Sequence, residues 1–261
     1  MRVESLVKEL ERMGQIVSVE KVYKNGCELT GIVIGNGPIR PTVYAEHFDW
    51  DMTDAEIAKE ILNMIAEAPI PVNINVQELI DWGFVKNNII PCLGKETGDD
   101  VVTRPFLDMK LYFRIQYDTE EGSVSCVIKR RMLEMYGVTE EELYNKAMEN
   151  VKGSYKIRFM GNMCDIETVP NMLVVTNEEA CYGASAICDE ETLKTMASMI
   201  GDNFFIIPSS VHEVMAVPYK EDSLEMMSEM VREMNETSLP PEEVLSDHVY
   251  VYVKDKGKIV Y

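Results

Sequence analysis

The run Phe204-Phe205-Ile206-Ile207-Pro208-Ser209-Ser210-Val211-His212-Glu213-Val214-Met215-Ala216-Val217-Pro218 reads as two short apolar strands parted at Pro208-Ser209-Ser210. A serine pair, a histidine and a carboxylate crowd into the break. If 210–217 continues as a strand, alternation puts Ser210 and His212 on one face with Val214 and Ala216. Glu213 then points the other way with Val211 and Met215. A hydroxyl beside an imidazole is the minimum for an activated nucleophile. The competing reading makes Pro208-Ser209-Ser210 a turn whose hydroxyls cap backbone groups, with His212 in a structural hydrogen bond.

Outward from this run the chain alternates strand pairs with helices. Val3, Leu6, Val7, Leu10 and Met13 recur at helical spacing and predict a helix ended near Gly14. Asn25-Gly26 between two apolar runs predicts a tight hairpin. Thr53 and Glu56 form a capping box for a helix stopped by Pro69 and Pro71. The stretch from Pro91 to Arg104 reads as a loop, with a second hairpin over 107–129 around Asp118–Gly122 and a short helix at 130–136. Thr139 and Glu142 cap another helix. A third hairpin is expected from 172–176 and 183–187, then a helix capped by Asp189 and ended at Gly201. A helix over 223–236 and a closing hairpin over 249–261 complete the reading. Adjacent antiparallel pairs with helices between them argue for an α+β fold. Residues 151–170 show no clear period, so two loosely separated lobes are expected, 1–150 and 151–261, with a single domain as the alternative.

The chain carries 45 acidic against 25 basic residues, a formal net charge of −20, which repels phosphate backbones and argues against nucleic acid as a partner. The six cysteines show no Cys-x-x-Cys spacing, and a chain of 261 residues needs no disulfide scaffold, so reduced thiols are expected. The opening Met1-Arg2-Val3-Glu4-Ser5 lacks a signal-peptide layout, and no apolar run approaches the ~20 residues of a membrane helix. The expectation is a cytoplasmic protein away from the membrane. The glycines at 31, 35 and 37 fail the dinucleotide fingerprint, because Pro38 and Arg40 follow, and no cofactor is expected.

A second polar knot, Ser246-Asp247-His248, precedes the strand 249–253. Alternation there sets His248, Tyr250 and Tyr252 opposite Val249 and Val251, with the valines inward and His248 at a polar surface. Three functional sets follow. As a binding site, Glu213, His248 and Tyr250 would meet an unidentified small molecule or protein. As a hydrolase, Ser210 or Ser209 would act as nucleophile, His212 as base and Asp247 as its orienting carboxylate, although the Gly-x-Ser-x-Gly elbow is absent. A metal set of His212, Glu213, Asp247 and His248, with His47, has imidazole and carboxylate chemistry suited to zinc or iron but no ligand spacing.

Several blocks carry a family resemblance: Leu173–Asn177 with Tyr182-Gly183-Ala184, Ile207–Val214, Val231–Asn235 and Glu242–Tyr250, with Tyr112–Ile115 and Val138–Tyr144. In this order they resemble an uncharacterised family of Firmicutes proteins catalogued as a domain of unknown function, with Pro208–Val214 and Leu245–Tyr250 as signature blocks. The resemblance implies a cytoplasmic bacterial protein and brings no catalytic residues with it. The leading expectation is a ligand-binding or protein-interaction protein without catalysis, and the rival is the hydrolase or metal-dependent enzyme.

Overall fold

The computed structural model describes residues 2–37, 40–67, 75–119, 122–162, 172–208 and 210–260. The chain divides into two compact units, 1–74 with 117–124, and 75–116 with 125–261. The fold is α+β, with three antiparallel sheets among the described residues.

In the first unit, α1 (Arg2–Arg12) precedes β1 (Val17–Lys24), β2 (Cys27–Ile34) and β3 (Thr42–Tyr44), and α2 (Asp54–Glu67) follows. The strands form one sheet in the order β1-β2-β3. Asn25 and Gly26 both take left-handed φ, 48° and 87°, which matches the hairpin twist and sets Lys24 opposite Cys27. Thr53 and Glu56 exchange the expected capping bonds at the start of α2. Leu6 and Leu10 of α1 and Ile57 and Ile61 of α2 pack on Ile32 and Ile34 as one core. Pro38, Pro69 and Pro71 lie outside the described residues.

The second unit runs α3 (Val76–Ile80), α4 (Trp82–Val85), β4 (Ile89–Gly94), β5 (Thr103–Phe106), β6 (Met109–Thr119) as far as Gln116, β7 (Gly122–Val127) from Ser125, α5 (Arg130–Tyr136) and α6 (Glu140–Val151). It continues through β8 (Lys156–Phe159), β9 (Leu173–Thr176), α7 (Glu190–Ile200), β10 (Phe204–Ile207), β11 (Val214–Pro218), α8 (Leu224–Thr237), β12 (Tyr250–Val253) and β13 (Lys258–Val260). A four-stranded sheet has β6 between β4 and β5, with β7 also on β6. A six-stranded sheet runs β13-β12-β10-β11-β9-β8. One face of the larger sheet, through Phe204, Ile206, Val214, Tyr250 and Tyr252, joins Leu111 and Phe113 of β6 and the inner faces of α5, α6 and α7 in a common core. The opposite face, through Phe205, Ile207 and Val249, packs on Met227 and Val231 of α8.

The structure departs from the sequence expectation at several places. Pro91 to Gly94 belongs to β4, not to a loop. A proline is tolerated there because β4 is an edge strand, where a missing N–H breaks no ladder bond. Lys156–Phe159, expected to lack regular structure, is the short outer strand β8, with Lys156 and Arg158 exposed along the edge. Residues 183–188 form a tight 3₁₀ turn instead of a returning hairpin strand, and β9 pairs with β8 and β11. The tyrosines of β12 are buried in the main core and its valines only half-buried, the reverse of the expected inward valines. The 151–170 segment, expected to separate two lobes, falls partly outside the described residues, and Val151, Tyr155 and Leu173 share one core cluster.

Candidate functional site

Strand register brings the two polar knots of the sequence to one end of the six-stranded sheet. β10 ends at Ile207, β11 starts at Val214 and β12 starts at Tyr250. In the antiparallel β10–β12 register, Ile206 faces Tyr250; carried two residues further, Pro208 falls opposite His248. The connection from β10 to β11 and the segment entering β12 are therefore neighbours at that end. A backbone bond ties them, from Val211 N–H to the Glu243 carbonyl at 2.9 Å.

Residues 210–213 are not strand; β11 begins only at Val214. The Ser210 hydroxyl accepts the backbone N–H of His212 at 3.0 Å, and Ser210 N–H donates to the Glu213 carbonyl at 3.2 Å. The hydroxyl thus meets the backbone of His212 and not its ring. The ring is held elsewhere: Nδ1 accepts the N–H of Tyr182 at 3.2 Å, and Nε2 lies 3.6 Å from a Glu243 carboxylate oxygen. An Nδ1 that accepts leaves the ring proton on Nε2, facing that carboxylate. The Tyr182 and His212 rings stand 5.5 Å apart. Ser209 lies outside the described residues.

Ser246 repeats the same turn. Its hydroxyl accepts the N–H of His248 at 3.1 Å, so Ser210-Val211-His212 and Ser246-Asp247-His248 share one local device. Here the hydroxyl also donates, to Oδ2 of Asp108 at 2.9 Å. Asp108 sits at the β5–β6 turn, after Leu107 with φ 55°. Its carboxylate also meets His248 Nδ1 at 2.9 Å and accepts the Tyr250 hydroxyl. Burial alone would raise the Asp108 carboxyl, but the hydrogen bonds from Tyr250, His248 and Ser246 outweigh it and hold it below the usual range.

Asp247, expected to orient His212, does something else. Its carboxylate accepts the Asn235 amide at 2.7 Å and lies 3.5 Å from Lys95 Nζ. Asn235 also donates to the Ser246 carbonyl at 3.0 Å, which ties α8 to the turn before β12. Glu213 and Tyr250 are placed by the turn and by Asp108, and His47 lies in the first unit, edge-on to Tyr44 at 5.5 Å. Among the described residues, no three His, Cys, Asp or Glu side chains come together as metal ligands.

Besides Asp108, sequence reading missed two residues near His212. Tyr182 takes a left-handed φ of 58°, unusual for a bulky side chain, with its N–H on His212. Gly183 follows, where any Cβ would meet Thr176 Oγ1, the Asn177 N–H and the His212 carbonyl. The second is Arg114 of β6, whose guanidinium lies 4.5 Å from the Tyr182 ring centroid. Both were visible as letters in the family blocks, but no local pattern pairs residues so far apart in sequence.

A family model described as "Family of unknown function (DUF5688)" matches residues 2–254. No curated protein and no solved structure matches the chain. Among the described residues, no helix is long and apolar enough to cross a membrane. The chain belongs to the DUF5688 family, a family of unknown function.

Proposed function

We propose that this protein binds a small polar molecule at the loop end of its six-stranded sheet, between the 210–213 and 246–250 segments, and does not transform it. The observation that carries this reading is the repeated turn: Ser210 and Ser246 each use the hydroxyl to accept the N–H of the histidine two residues on. Both imidazoles are thereby presented on braced loops, one held by Tyr182 N–H and the other by Asp108. A rigid loop end with fixed polar rings suits recognition. The cytoplasmic setting is supported by the free thiols at 27, 92, 126, 181 and 188. The acidic charge of −20 supports partners other than nucleic acid. The Firmicutes origin and the signature role of Pro208–Val214 and Leu245–Tyr250 rest on the resemblance of those blocks.

One observation favours hydrolysis as the second reading. The Asp108–His248 pair, at 2.9 Å with the His248 side chain 57% exposed, is the orienting half of a general-base arrangement. The two readings separate in one experiment. Thermal melts with a panel of small carboxylates, phosphates, amines and sugars are followed by recovery of each compound for analysis. Binding predicts saturable stabilisation by at least one compound, recovered intact, and weaker in His212→Ala and His248→Ala. Turnover of any panel compound that disappears in His248→Ala would replace this reading with the hydrolytic one.

A further inference from the structure

Among the described residues, Arg114 is a cation without a paired carboxylate. It lies half-buried on the outer face of the four-stranded sheet, directly across from Ile90, while Tyr112 lies across from Cys92. Its surroundings are a small apolar cluster of Cys92, Val101 and Tyr112, with Ile90, Val127 and Tyr182 packed around. Its Nε donates to Ser125 Oγ at 2.9 Å and one terminal nitrogen donates to the Ser125 carbonyl at 3.0 Å. Among the described residues no carboxylate pairs with it, although the chain has 45 acidic groups. By contrast Arg131, Arg158 and Arg232 are solvent-exposed, where charge costs little. Burial pushes the Tyr112 hydroxyl and the Cys92 thiol upward, so both neighbours stay neutral and neither compensates the charge.

A buried charge left unpaired is costly, and proteins normally supply its partner. The guanidinium fork has five donors; the Ser125 oxygens engage two of them and the Tyr112 side chain a third, which leaves two over. Tyr182, which stacks on that guanidinium, is held in a left-handed backbone conformation by His212 and by the close approach at Gly183. Strain of this kind persists only where surrounding structure imposes it. Arg114, Ser125 and Tyr182 are each half-exposed, so solvent reaches the rim of this cluster.

We infer that Arg114, with Tyr112 and Tyr182, forms an anion subsite that takes the carboxylate or phosphate group of a small molecule on the guanidinium donors that Ser125 and Tyr112 leave unused. This deepens the binding reading above and rests on it, since Tyr182 connects the subsite to His212. The arginine provides the charge and the planar donor fork. The Tyr182 ring fixes the fork's plane. The Tyr112 side chain, hydrogen-bonded to Arg114, holds the guanidinium from its own strand.

The test titrates ¹⁵N-labelled full chain with sodium acetate and, separately, inorganic phosphate at constant ionic strength, following arginine Nε–Hε resonances assigned through Arg114→Lys. A saturable shift of the Arg114 resonance with either anion, absent from Arg131, supports the subsite, and the stronger anion identifies the group. In Arg114→Gln, checked for native circular dichroism, the affinity falls by about tenfold or more. No shift with either anion in the wild-type chain overturns the inference, and needs no variant to fold. Equal anion affinity in folded Arg114→Gln also overturns it. If anions fail while a neutral panel compound still binds in a His212-dependent way, only the subsite falls; turnover of a panel compound removes the binding reading instead.

Discussion

The Oδ2 of Asp108 lies 2.9 Å from Nδ1 of His248, across 140 positions of sequence, and the same carboxylate accepts the Tyr250 and Ser246 hydroxyls. One turn of the four-stranded sheet thus clamps the start of β12 in the six-stranded sheet. Asp108→Asn keeps the shape but removes the charge that all three donors address. It is expected to cost about 1–3 kcal/mol in urea denaturation.

The same carboxylate sets a pH dependence. Its folded pKa is lowered, with burial raising it and the Tyr250, His248 and Ser246 bonds outweighing burial. A lowered carboxyl stabilises the fold above its unfolded value of about 3.9, and the contribution is lost as pH falls through the folded value. Wild-type stability is therefore expected to drop more steeply below about pH 4 than that of Asp108→Asn. Parallel acid limbs in urea melts of the two proteins would rule this out.

Gly183 sits where a Cβ would meet the His212 carbonyl at 2.8 Å, and the Thr176 hydroxyl and Asn177 N–H still more closely. Two of these neighbours are backbone and cannot rotate away. Gly183→Ala is expected to lose about 1–3 kcal/mol or more, measured as a lower urea midpoint. It should also disturb the Tyr182–His212 contact, visible as a shift of the His212 ring resonances.

Asn235 donates to Ser246 and Asp247, and its own Oδ1 is buried without a partner among the described residues. Asn235→Asp replaces the donor with an oxygen and sets a second carboxylate against Asp247. The variant is expected to be destabilised at pH 7 by about 1–3 kcal/mol and to recover part of that near pH 4, where carboxylates neutralise. Thermal melts at the two pH values read the difference.

Ala180 is exposed and holds a left-handed φ of 49°. Glycine removes the Cβ clash at that angle but adds freedom to the unfolded chain. Ala180→Gly is expected to stabilise the protein by about 0.5–1 kcal/mol, seen as a raised melting temperature.

Local chemistry was legible wherever a short window holds the whole cause. The Asn25-Gly26 hairpin, the Thr53 and Thr139 capping boxes, the Asp189 cap and the Gly201 stop all follow from neighbours in sequence. Misreadings occurred where a partner overrides the window. Pro91 looks like a breaker until an edge position makes its missing N–H harmless, and 183–187 alternates like a strand but is turned by the close approach at Gly183.

The sequence alone determined the α+β class, the strand pairs joined by short turns, the acidic surface and the two polar knots as the places to look, because periodicity, turn residues and charge act over a few positions. Only the tertiary structure decided what those knots do. Ser210 and Ser246 serve their turns, Asp247 answers Asn235 and Lys95, Asp108 reaches His248, and Arg114 lies under Tyr182. Those partners are set by strand order and sheet packing, which join residues scores of positions apart and leave no local trace.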